Sequence, residues 1–297
     1  MTDGFTPSVS IGMPVYNCGR TLDAAVRSIL NQTFTEWEML LVDDGSTDET
    51  LRVARAYQDP RIRVFSDGSH QGLVARLNQA VGLSRGKYFA RMDGDDVSYP
   101  ERLALQVEYL EGHSEIDLLG GGMLVFGRGG GVLGTHANPS SHEDICRRPW
   151  KGFYLAHPTW MGRSEWFREH PYRPGAVRCE DQDLLLRTYE KSRFAAVPKI
   201  VLGYREEELS LRKNLVARRS FVRSVVREAI AKRYYAIAAG VIVEQALKGL
   251  TECVAIGTGL RYQVLRNRAM PVDEGAMREW AGVWEKVQEM VPSRRCP

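Results

Sequence analysis

Short apolar runs alternate with amphipathic segments over about the first 110 residues. The apolar runs are typical of buried strands, whereas apolar side chains recur at helical spacing in the segments between them. Strands are predicted over residues 9–13, 38–42, 61–65 and 87–92, and helices over residues 21–30, 72–84 and 100–111. A capping-box pattern, Ser46 with Glu49, predicts another helix that reaches about Tyr57. This alternation predicts an α/β fold with a mostly parallel sheet flanked by helices.

After residue 117 the pattern changes. Strands are predicted over residues 118–126, 132–135, 157–162 and 194–204, and the chain is predicted to be mostly helical from about residue 214. The glycines at 129, 131 and 134 match G-x-G-x-x-G, but no helix is predicted after them, so a hairpin turn explains them better than a dinucleotide site. We expect one domain over residues 1–210, made of halves 1–116 and 117–210, and a helical C-terminal extension over residues 211–297.

Polar loops follow three of the predicted strands, at residues 14–17, 43–46 and 93–96. Parallel sheets bind ligands at the carboxyl ends of their strands, where such loops converge. In the third loop Asp93 and Asp95 are two residues apart, so on an extended backbone both carboxylates lie on one face. Carboxylate oxygens suit a hard divalent cation. An acidic turn is the alternative, and the convergence of the three loops favours a cation site.

Net charge and cysteine spacing narrow the functional class. The formal net charge of +3 over 297 residues gives no reason to expect nucleic acid as a partner. The five cysteines are scattered without a C-x-x-C pair, which argues against a zinc site or a disulfide framework and favours a reducing compartment. The N-terminal residues lack the pattern of a secretory signal, and charged residues interrupt the apolar stretch 236–260. We therefore expect a cytoplasmic protein.

A basic stretch lies beside an apolar one in the predicted C-terminal extension. Arg218, Arg219, Arg223 and Arg227 precede the apolar residues 236–243. This combination is typical of a helix that lies at a membrane surface, where the arginines face anionic headgroups. The alternatives are a helical subdomain packed on the sheet and a homodimer interface. Peripheral contact with the cytoplasmic face of the inner membrane is therefore one hypothesis for these helices.

Four motifs occur in order along the chain: Pro14-Val-Tyr-Asn17, Val42-Asp-Asp-Gly-Ser46, Met92-Asp-Gly-Asp-Asp96 and Cys179-Glu-Asp-Gln-Asp183. Because their order, spacing and placement fit, the chain over about residues 8–205 resembles the family 2 inverting glycosyltransferases of the GT-A fold, in the branch that builds bacterial surface polysaccharides. The resemblance implies a Rossmann-like fold with a donor-binding half followed by an acceptor half. It implies metal-dependent transfer of a sugar from a nucleotide-sugar, with a UDP-sugar expected, to a hydroxyl of a glycan or lipid-linked glycan.

The resemblance assigns the nucleobase to the first two loops. Tyr16 would stack on the base with the backbone of Pro14 and Asn17 around it. Asp44 would accept a hydrogen bond from a uracil ring nitrogen. Taken alone, these residues are also explained by a strand-to-helix turn and by an Asp-Gly turn.

The resemblance assigns the third loop to the ribose and the metal. Asp93 would contact the ribose or the metal, Asp95 would bind the metal, and Asp96 would support that site. Mg²⁺ or Mn²⁺ there would neutralise the diphosphate of the leaving group. The sequence does not choose between the two ions.

On the acceptor side the resemblance points to an acidic pair. Asp181 would be the general base that takes the proton from the acceptor hydroxyl, and Glu180 is the competing assignment. Acidic residues at the start of a predicted helix are also favoured by the helix dipole, which is the structural alternative. His157 would line the acceptor side or be a structural histidine.

The sequence also separates this chain from related functions. Processive synthases of the family carry Q-x-x-R-W after the acidic motif, and residues 184–189 do not match it, so we expect one sugar to be added per encounter. A sugar nucleotidyltransferase would need a glycine-rich basic loop after the first strand, where Pro14-Val-Tyr-Asn17 stands. A non-catalytic nucleotide-sugar-binding protein is the other alternative, and the presence of Asp95 and Asp181 argues against it.

Overall fold

The structure, a computed structural model, describes residues 6–136, 139–206, 211–257 and 272–289, without the side chains of 211–213 and 252–257. These residues form one sheet of nine strands with helices packed on both of its faces. The strands are β1 (Val9–Val15), β2 (Trp37–Asp43), β3 (Ile62–Ser66), β4 (Tyr88–Arg91), β5 (Val97–Ser98), β6 (Leu118–Phe126), β7 (Val132–His136), β8 (Met161–Arg163) and β9 (Phe194–Arg205).

The helices follow the strands in the predicted alternation through the first half of the chain. They are α1 (Leu22–Leu30), α2 (Thr50–Arg55), α3 (Leu73–Leu83), α4 (Arg102–Gly112), α5 (His142–Ile145), α6 (Ser164–Glu169), α7 (Glu180–Thr188), α8 (Leu211–Ala231), α9 (Tyr235–Gly257) and α10 (Glu274–Glu289). Short 3₁₀ turns occur at Arg128–Gly130, Pro149–Lys151 and His157–Thr159. The glycine-rich segment after β6 is therefore the hairpin turn that the sequence predicts.

The strand order is β3-β2-β1-β4-β8-β6-β9-β5, and β7 pairs with the outer part of β6. The long ladders are parallel: β1 with β2 and β4, β2 with β3, and β6 with β9. The short strand β8 joins the two halves by antiparallel pairing with β4 and β6. The predicted fold class is confirmed: an α/β fold with a mostly parallel sheet, flanking helices and a helical C-terminal part.

Strand β1 shows how the sheet divides its core into two layers. Its alternate residues Val9, Ile11, Met13 and Val15 are buried in the cluster that also contains the apolar face of α1. On the opposite face, a Cβ at Gly12 would lie 2.3 Å from the ring of Phe89. A side chain at residue 12 would therefore displace Phe89, because interiors are close-packed.

Part of the predicted C-terminal extension packs against the rest of the protein. Helix α10 places Trp280 against Phe126, with ring centroids 4.6 Å apart, and the indole Nε1 donates to the carbonyl of Gly130 at 2.8 Å. Helix α8 packs on α7 and α9. Residues 258–271 and 290–297 of the extension lie outside the described residues, and the predicted boundary at 210 stays a prediction. In the described ranges, every helix is too short or too polar to cross a bilayer.

Two local predictions were wrong. The capping box at Ser46 and Glu49 does not form, because the Ser46 hydroxyl accepts a hydrogen bond from the backbone N–H of Asn17 at 3.0 Å and α2 begins only at Thr50. The strand predicted over residues 157–162 begins only at Met161. Before it, His157–Thr159 form a 3₁₀ turn with proline in its first turn, where the missing N–H is tolerated.

Candidate active site

The three polar loops converge at the carboxyl ends of β1, β2 and β4, as predicted. The backbone N–H of Asp44 donates to the carbonyl of Val15 at 2.9 Å, which ties the second loop to the first. The hydroxyl of Thr21 donates to the carbonyl of Gly94 at 3.1 Å, which ties the third loop to the segment after the first. Residues far apart in the sequence therefore share one edge of the sheet.

Tyr16 in the first loop and Asp44 in the second loop differ in exposure. Tyr16 is 48% exposed, and its ring centroid lies 4.4 Å from that of His70, so the residue is open to solvent although His70 covers part of its ring. Asp44 is buried, and its carboxylate accepts hydrogen bonds from the backbone N–H groups of Gln71 at 2.7 Å and Gly72 at 3.0 Å. The role of Asp44 as a base contact stays a prediction, and its carboxylate also orders the loop after β3.

Arg76 was missed by the sequence analysis, although it organises this corner of the site. Its buried side chain donates from Nε to Asp44 at 2.9 Å, and its two terminal nitrogens lie 2.7 Å and 3.0 Å from the carboxylate oxygens of Asp67. This bidentate pair holds the pKa of Asp67 well below its usual range. A charged side chain on the otherwise apolar inner face of α3 was the signal available in the sequence.

Asn17 adds a second constraint on the first loop. Its backbone lies in the left-handed region at φ 49°, and its side-chain oxygen accepts from the N–H of Thr47 at 2.8 Å. Asparagine adopts this conformation more readily than most residues. Pro14 lies near the end of β1, whose residues are all buried, and the strand ends at Val15 just before this turn. The contacts of Asn17 are with the second loop, and its predicted place around the base is not tested by them.

Asp93, Asp95 and Asp96 form the acidic cluster, in which one oxygen of each lies within 4.8 Å of the others. Asp96 is fully buried, and its Oδ1 accepts from the backbone N–H of Arg205 at 3.0 Å. Its Oδ2 has no hydrogen-bond partner among the residues that the structure describes. A buried carboxylate oxygen without a partner, beside two further carboxylates, fits a divalent cation.

The charges of the acidic cluster repel one another. Burial, followed by the charge of Asp93, raises the pKa of Asp95 to about 6. Burial, followed by the charges of Asp93 and Asp95, raises the pKa of Asp96 well above its usual range. The residues therefore fit Mg²⁺ or Mn²⁺ in their chemistry, because a cation would relieve this repulsion.

Arg91 was also missed, and it lies at the centre of the site. Its side chain on β4 is 4% exposed, and Nη2 lies 2.6 Å from Oδ1 of Asp93. Its Nε and Nη1 have no hydrogen-bond partner in the described part of the chain. Its carbonyl accepts from Nη2 of the buried Arg102 at 2.8 Å, and burial lowers the pKa of Arg102 to about 9. An arginine inside a predicted buried strand was the sequence signal for this role.

Glu180 lies at the start of α7 and points into the protein. It is 6% exposed, and its Oε1 lies 3.7 Å from Nδ1 of His157. On the other side of that ring, Nε2 of His157 lies 2.9 Å from the hydroxyl of Tyr172. Burial, followed by the charge of Asp181, raises the pKa of Glu180 to about 7. His157 is buried next to Glu180, which gives it a structural contact with the acidic pair, and its predicted place on the acceptor side is not tested.

Asp181 is partly exposed, unlike Glu180. One of its oxygens accepts from Nε2 of Gln182 at 3.1 Å, and the Gln182 side chain is held in turn by the backbone N–H of Phe153 at 2.8 Å. The partial burial of Asp181 raises its pKa above the usual range. Of the two acids, Asp181 is the one that a ligand outside the protein can reach.

Comparison with known proteins shows which family the chain belongs to. Residues 10–170, more than half of the chain, match the family model described as glycosyl transferase family 2. The chain belongs to this family. The predicted family is thereby confirmed, and the protein is a glycosyltransferase.

Two curated relatives and one solved structure illustrate the likeness. The putative glycosyltransferase EpsE of Bacillus subtilis is 41% identical over 191 residues, which cover 62% of this chain and 68% of EpsE. The Escherichia coli enzyme named UDP-Glc:alpha-D-GlcNAc-diphosphoundecaprenol beta-1,3-glucosyltransferase WfgD is 33% identical over 102 residues, which cover 34% of this chain and 40% of WfgD. Residues 1–349 of TarS from S. aureus, in complex with UDP, have a TM-score of 0.62 at 20% identity, with 97% of this chain and 82% of that fragment covered. The likeness to TarS supports the fold alone.

The raised pKa of Asp95 predicts how Mn²⁺ binding to the acidic cluster depends on pH. Above a pH of about 6 the carboxyl group is ionised and would bind the cation, and below it a proton would compete, so affinity should fall steeply as the pH is lowered through about 6. Asp95→Asn should remove binding at every pH. Electron paramagnetic resonance of free Mn²⁺ measures both effects.

The exposed Glu49 provides a matched control, because Glu49→Gln removes a carboxylate from the same edge of the sheet but outside the cluster. The Glu49→Gln variant should bind Mn²⁺ with the same affinity as the unmodified protein. A Mn²⁺ affinity that does not change with pH, or that survives Asp95→Asn, would contradict the assignment.

Proposed function

We propose that this protein is a metal-dependent, inverting, non-processive glycosyltransferase that moves a sugar from a UDP-sugar to a hydroxyl of a glycan or lipid-linked glycan. The observation that carries the proposal is the arrangement of two acidic groups around Arg91. The positive charge of Arg91 opposes the rise in the pKa of Asp95 in the acidic cluster, and it also opposes the rise in the pKa of Glu180 and Asp181. A cation-binding group and a proton-accepting group therefore share one buried positive charge.

On the donor side, the exposed ring of Tyr16 offers a stacking surface for the base. Asp93, Asp95 and Asp96 would hold Mg²⁺ or Mn²⁺. A bound cation would supply positive charge to the diphosphate and so make it a better leaving group. Asp93 is held in place by its ion pair with Arg91, which leaves its second oxygen for the ribose or the metal.

On the acceptor side, Asp181 would act as the general base. The acceptor oxygen attacks the anomeric carbon as the bond from that carbon to the diphosphate oxygen breaks. The hydroxyl proton passes to Asp181, and the nucleoside diphosphate leaves with the bonding electrons. A single displacement of this kind inverts the anomeric configuration. The raised pKa of Asp181 suits the role, because a base is most effective when its pKa approaches the working pH.

The acceptor class is proposed from the relatives. WfgD is named for a UDP-sugar donor, a beta linkage and an acceptor sugar carried on a lipid diphosphate. Residues 184–189 of this chain do not match the Q-x-x-R-W pattern of processive synthases, which supports the addition of one sugar per encounter. We infer a role in building a cell-envelope polysaccharide.

Replacing Asp181 tests this function. Asp181→Asn keeps the shape of the side chain but removes the base, so turnover should fall by roughly a hundredfold or more, while affinity for the donor changes little. The measurement is release of the nucleoside diphosphate from a panel of nucleotide-sugars mixed with glycan and lipid-linked glycan acceptors. Glu180→Gln is the matched variant, because it removes a neighbouring acid that is turned inward.

Three outcomes would overturn parts of the proposal. If Glu180→Gln is inactive and Asp181→Asn is near normal, Glu180 is the base. If pyrophosphate is released instead of a nucleoside diphosphate, the protein is a sugar nucleotidyltransferase. If the unmodified protein binds nucleotide-sugars but turns none over, it is a non-catalytic binding protein.

We further propose that α9 contacts an anionic membrane surface without crossing it. Val243, Leu247 and Leu250 recur at helical spacing on α9 and are 59%, 59% and 63% exposed. The adjoining helix α8 exposes Arg219 and Arg223. An apolar stripe beside basic side chains complements an anionic bilayer, and each arginine near the surface adds about 1 kcal/mol. Such contact would bring the enzyme to a lipid-linked acceptor at the cytoplasmic face.

The double variant Val243→Glu/Leu247→Glu tests the membrane contact. The unmodified protein should float with anionic vesicles at low salt and less at high salt, whereas the double variant should not float. Leu133→Glu is the control, because Leu133 is equally exposed, at 59%, but lies on β7. If the double variant instead converts a dimer to a monomer in sedimentation, the stripe is a homodimer interface and the membrane proposal fails.

A further inference from the structure

His70 contacts both of the side chains to which the family resemblance assigns the nucleobase. It lies in the segment 67–72, between β3 and α3, and the sequence analysis did not single it out. The centroid of its ring lies 4.4 Å from that of Tyr16. Its Nδ1 lies 2.9 Å from Oδ2 of Asp44 and 3.2 Å from the backbone carbonyl of the same residue. Both of these oxygens are acceptors, so Nδ1 carries a proton and is the donor.

The carboxylate of Asp44 already has as many hydrogen-bond donors as it can accept. Its Oδ1 accepts from the backbone N–H of Gln71 at 2.7 Å and from Nε of Arg76 at 2.9 Å. Its Oδ2 accepts from the backbone N–H of Gly72 at 3.0 Å and faces Nδ1 of His70. Each carboxylate oxygen has two lone pairs, so these four donors fill the group. Asp44 can therefore accept a hydrogen bond from uracil only if one of the four leaves.

Of these four donors, His70 is the one that can leave without disturbing the rest of the site. Two of the others are backbone N–H groups of the segment 67–72. That backbone is packed against Gly45, where a Cβ would lie 3.1 Å from the backbone nitrogen of His70. The third is Nε of Arg76, whose side chain is 1% exposed and also pairs with Asp67. The side chain of His70 is 60% exposed, so a rotation about χ1 moves the imidazole into solvent while the backbone stays in place.

The imidazole of His70 offers the same two features that uracil offers. One is a flat ring for Tyr16, and the other is a ring N–H for Asp44. The planes of the two rings are 38° apart, so the imidazole is tilted on Tyr16 and covers its ring only in part. A parallel, offset base would make the better stack. Uracil would therefore replace both contacts of the imidazole and improve one of them.

We propose that His70 is a further residue of the donor site, whose imidazole occupies the place of the nucleobase until uracil displaces it. This inference rests on the proposed function, which brings a UDP-sugar to Tyr16 and Asp44. It deepens that function, because it states how the base enters a site whose acceptor is already fully bonded. The ligand class is a nucleotide whose base carries a ring N–H, since such a base restores the hydrogen bond that Asp44 loses with the imidazole.

The sign of the change in UDP affinity after His70→Ala tests the proposal. The apparent dissociation constant is raised by the fraction of molecules in which the imidazole blocks the site, so the variant should bind UDP roughly threefold or more tightly. Calorimetric titration with UDP in the presence of Mn²⁺ measures this. His113→Ala is the matched control, because His113 is also an exposed histidine stacked on a tyrosine, Tyr109, with ring centroids 4.2 Å apart at the end of α4. It should change the affinity by less than about twofold, as expected for a distant, independent site.

A titration with CDP tests the part that Asp44 plays in the exchange. Cytosine has no ring N–H, so CDP would leave a buried carboxylate oxygen without its donor. CDP should therefore bind roughly tenfold or more weakly than UDP to the unmodified protein. Equal affinities for CDP and UDP would show that the base does not replace His70 at Asp44, and the proposal would be wrong.

The remaining outcomes separate failure of this inference from failure of the proposed function. If His70→Ala binds UDP more weakly, His70 holds the base directly and does not occupy its place. If the affinity for UDP is unchanged, the imidazole does not lie where the base binds. In both cases the unmodified protein still binds UDP and the proposed function stands. If neither protein binds UDP, the site is not a uridine site, and this inference fails together with the donor that the proposed function assigns.

Discussion

The repulsion among Asp93, Asp95 and Asp96 is the constraint on which the rest of the site depends. Three carboxyl groups at the end of one strand can all be ionised only if positive charge lies close by. The buried side chain of Arg91 supplies part of that charge from inside the sheet, through its ion pair with Asp93. The remaining repulsion raises the pKa of Asp95 and Asp96 and leaves the cluster suited to a divalent cation.

Arg91 also connects the acidic cluster with Glu180 at the start of α7. A buried guanidinium is stable only with charged and polar groups around it. Its charge acts on Asp93 and Asp96 on the proposed donor side and on Glu180 on the proposed acceptor side. His157 fills the space beside Glu180, and burial, followed by the charge of Arg91, lowers its pKa well below the usual range. A neutral histidine there adds no further positive charge, so Arg91 is the cation that the two acidic groups share.

The sequence predicted the parts of the molecule that depend on local pattern. The period of the apolar residues located β1, β2 and β4, and the acidic motifs located Asp95 and Asp181. It did not predict contacts between side chains that are distant in sequence, such as the bond from Arg76 to Asp44 or the packing of Trp280 against the loop at Gly130, 150 residues earlier. The capping box failed for the same reason: the Ser46 hydroxyl has a partner 29 residues away, at Asn17. Local rules give way where a tertiary contact satisfies the same group.

We propose that the acidic cluster binds a cation together with the diphosphate of the donor. Phosphorus NMR of UDP with Mn²⁺ tests it most directly, because a paramagnetic ion broadens the signals of nuclei that it approaches closely. A low concentration of protein is used, so that bound and free UDP exchange. Both phosphorus signals of UDP should then broaden more than they do with Mn²⁺ alone, and Asp95→Asn should remove this additional broadening. Two results together would contradict the account. UDP would bind with undiminished affinity in excess chelator, and its phosphorus signals would show no protein-dependent broadening with Mn²⁺.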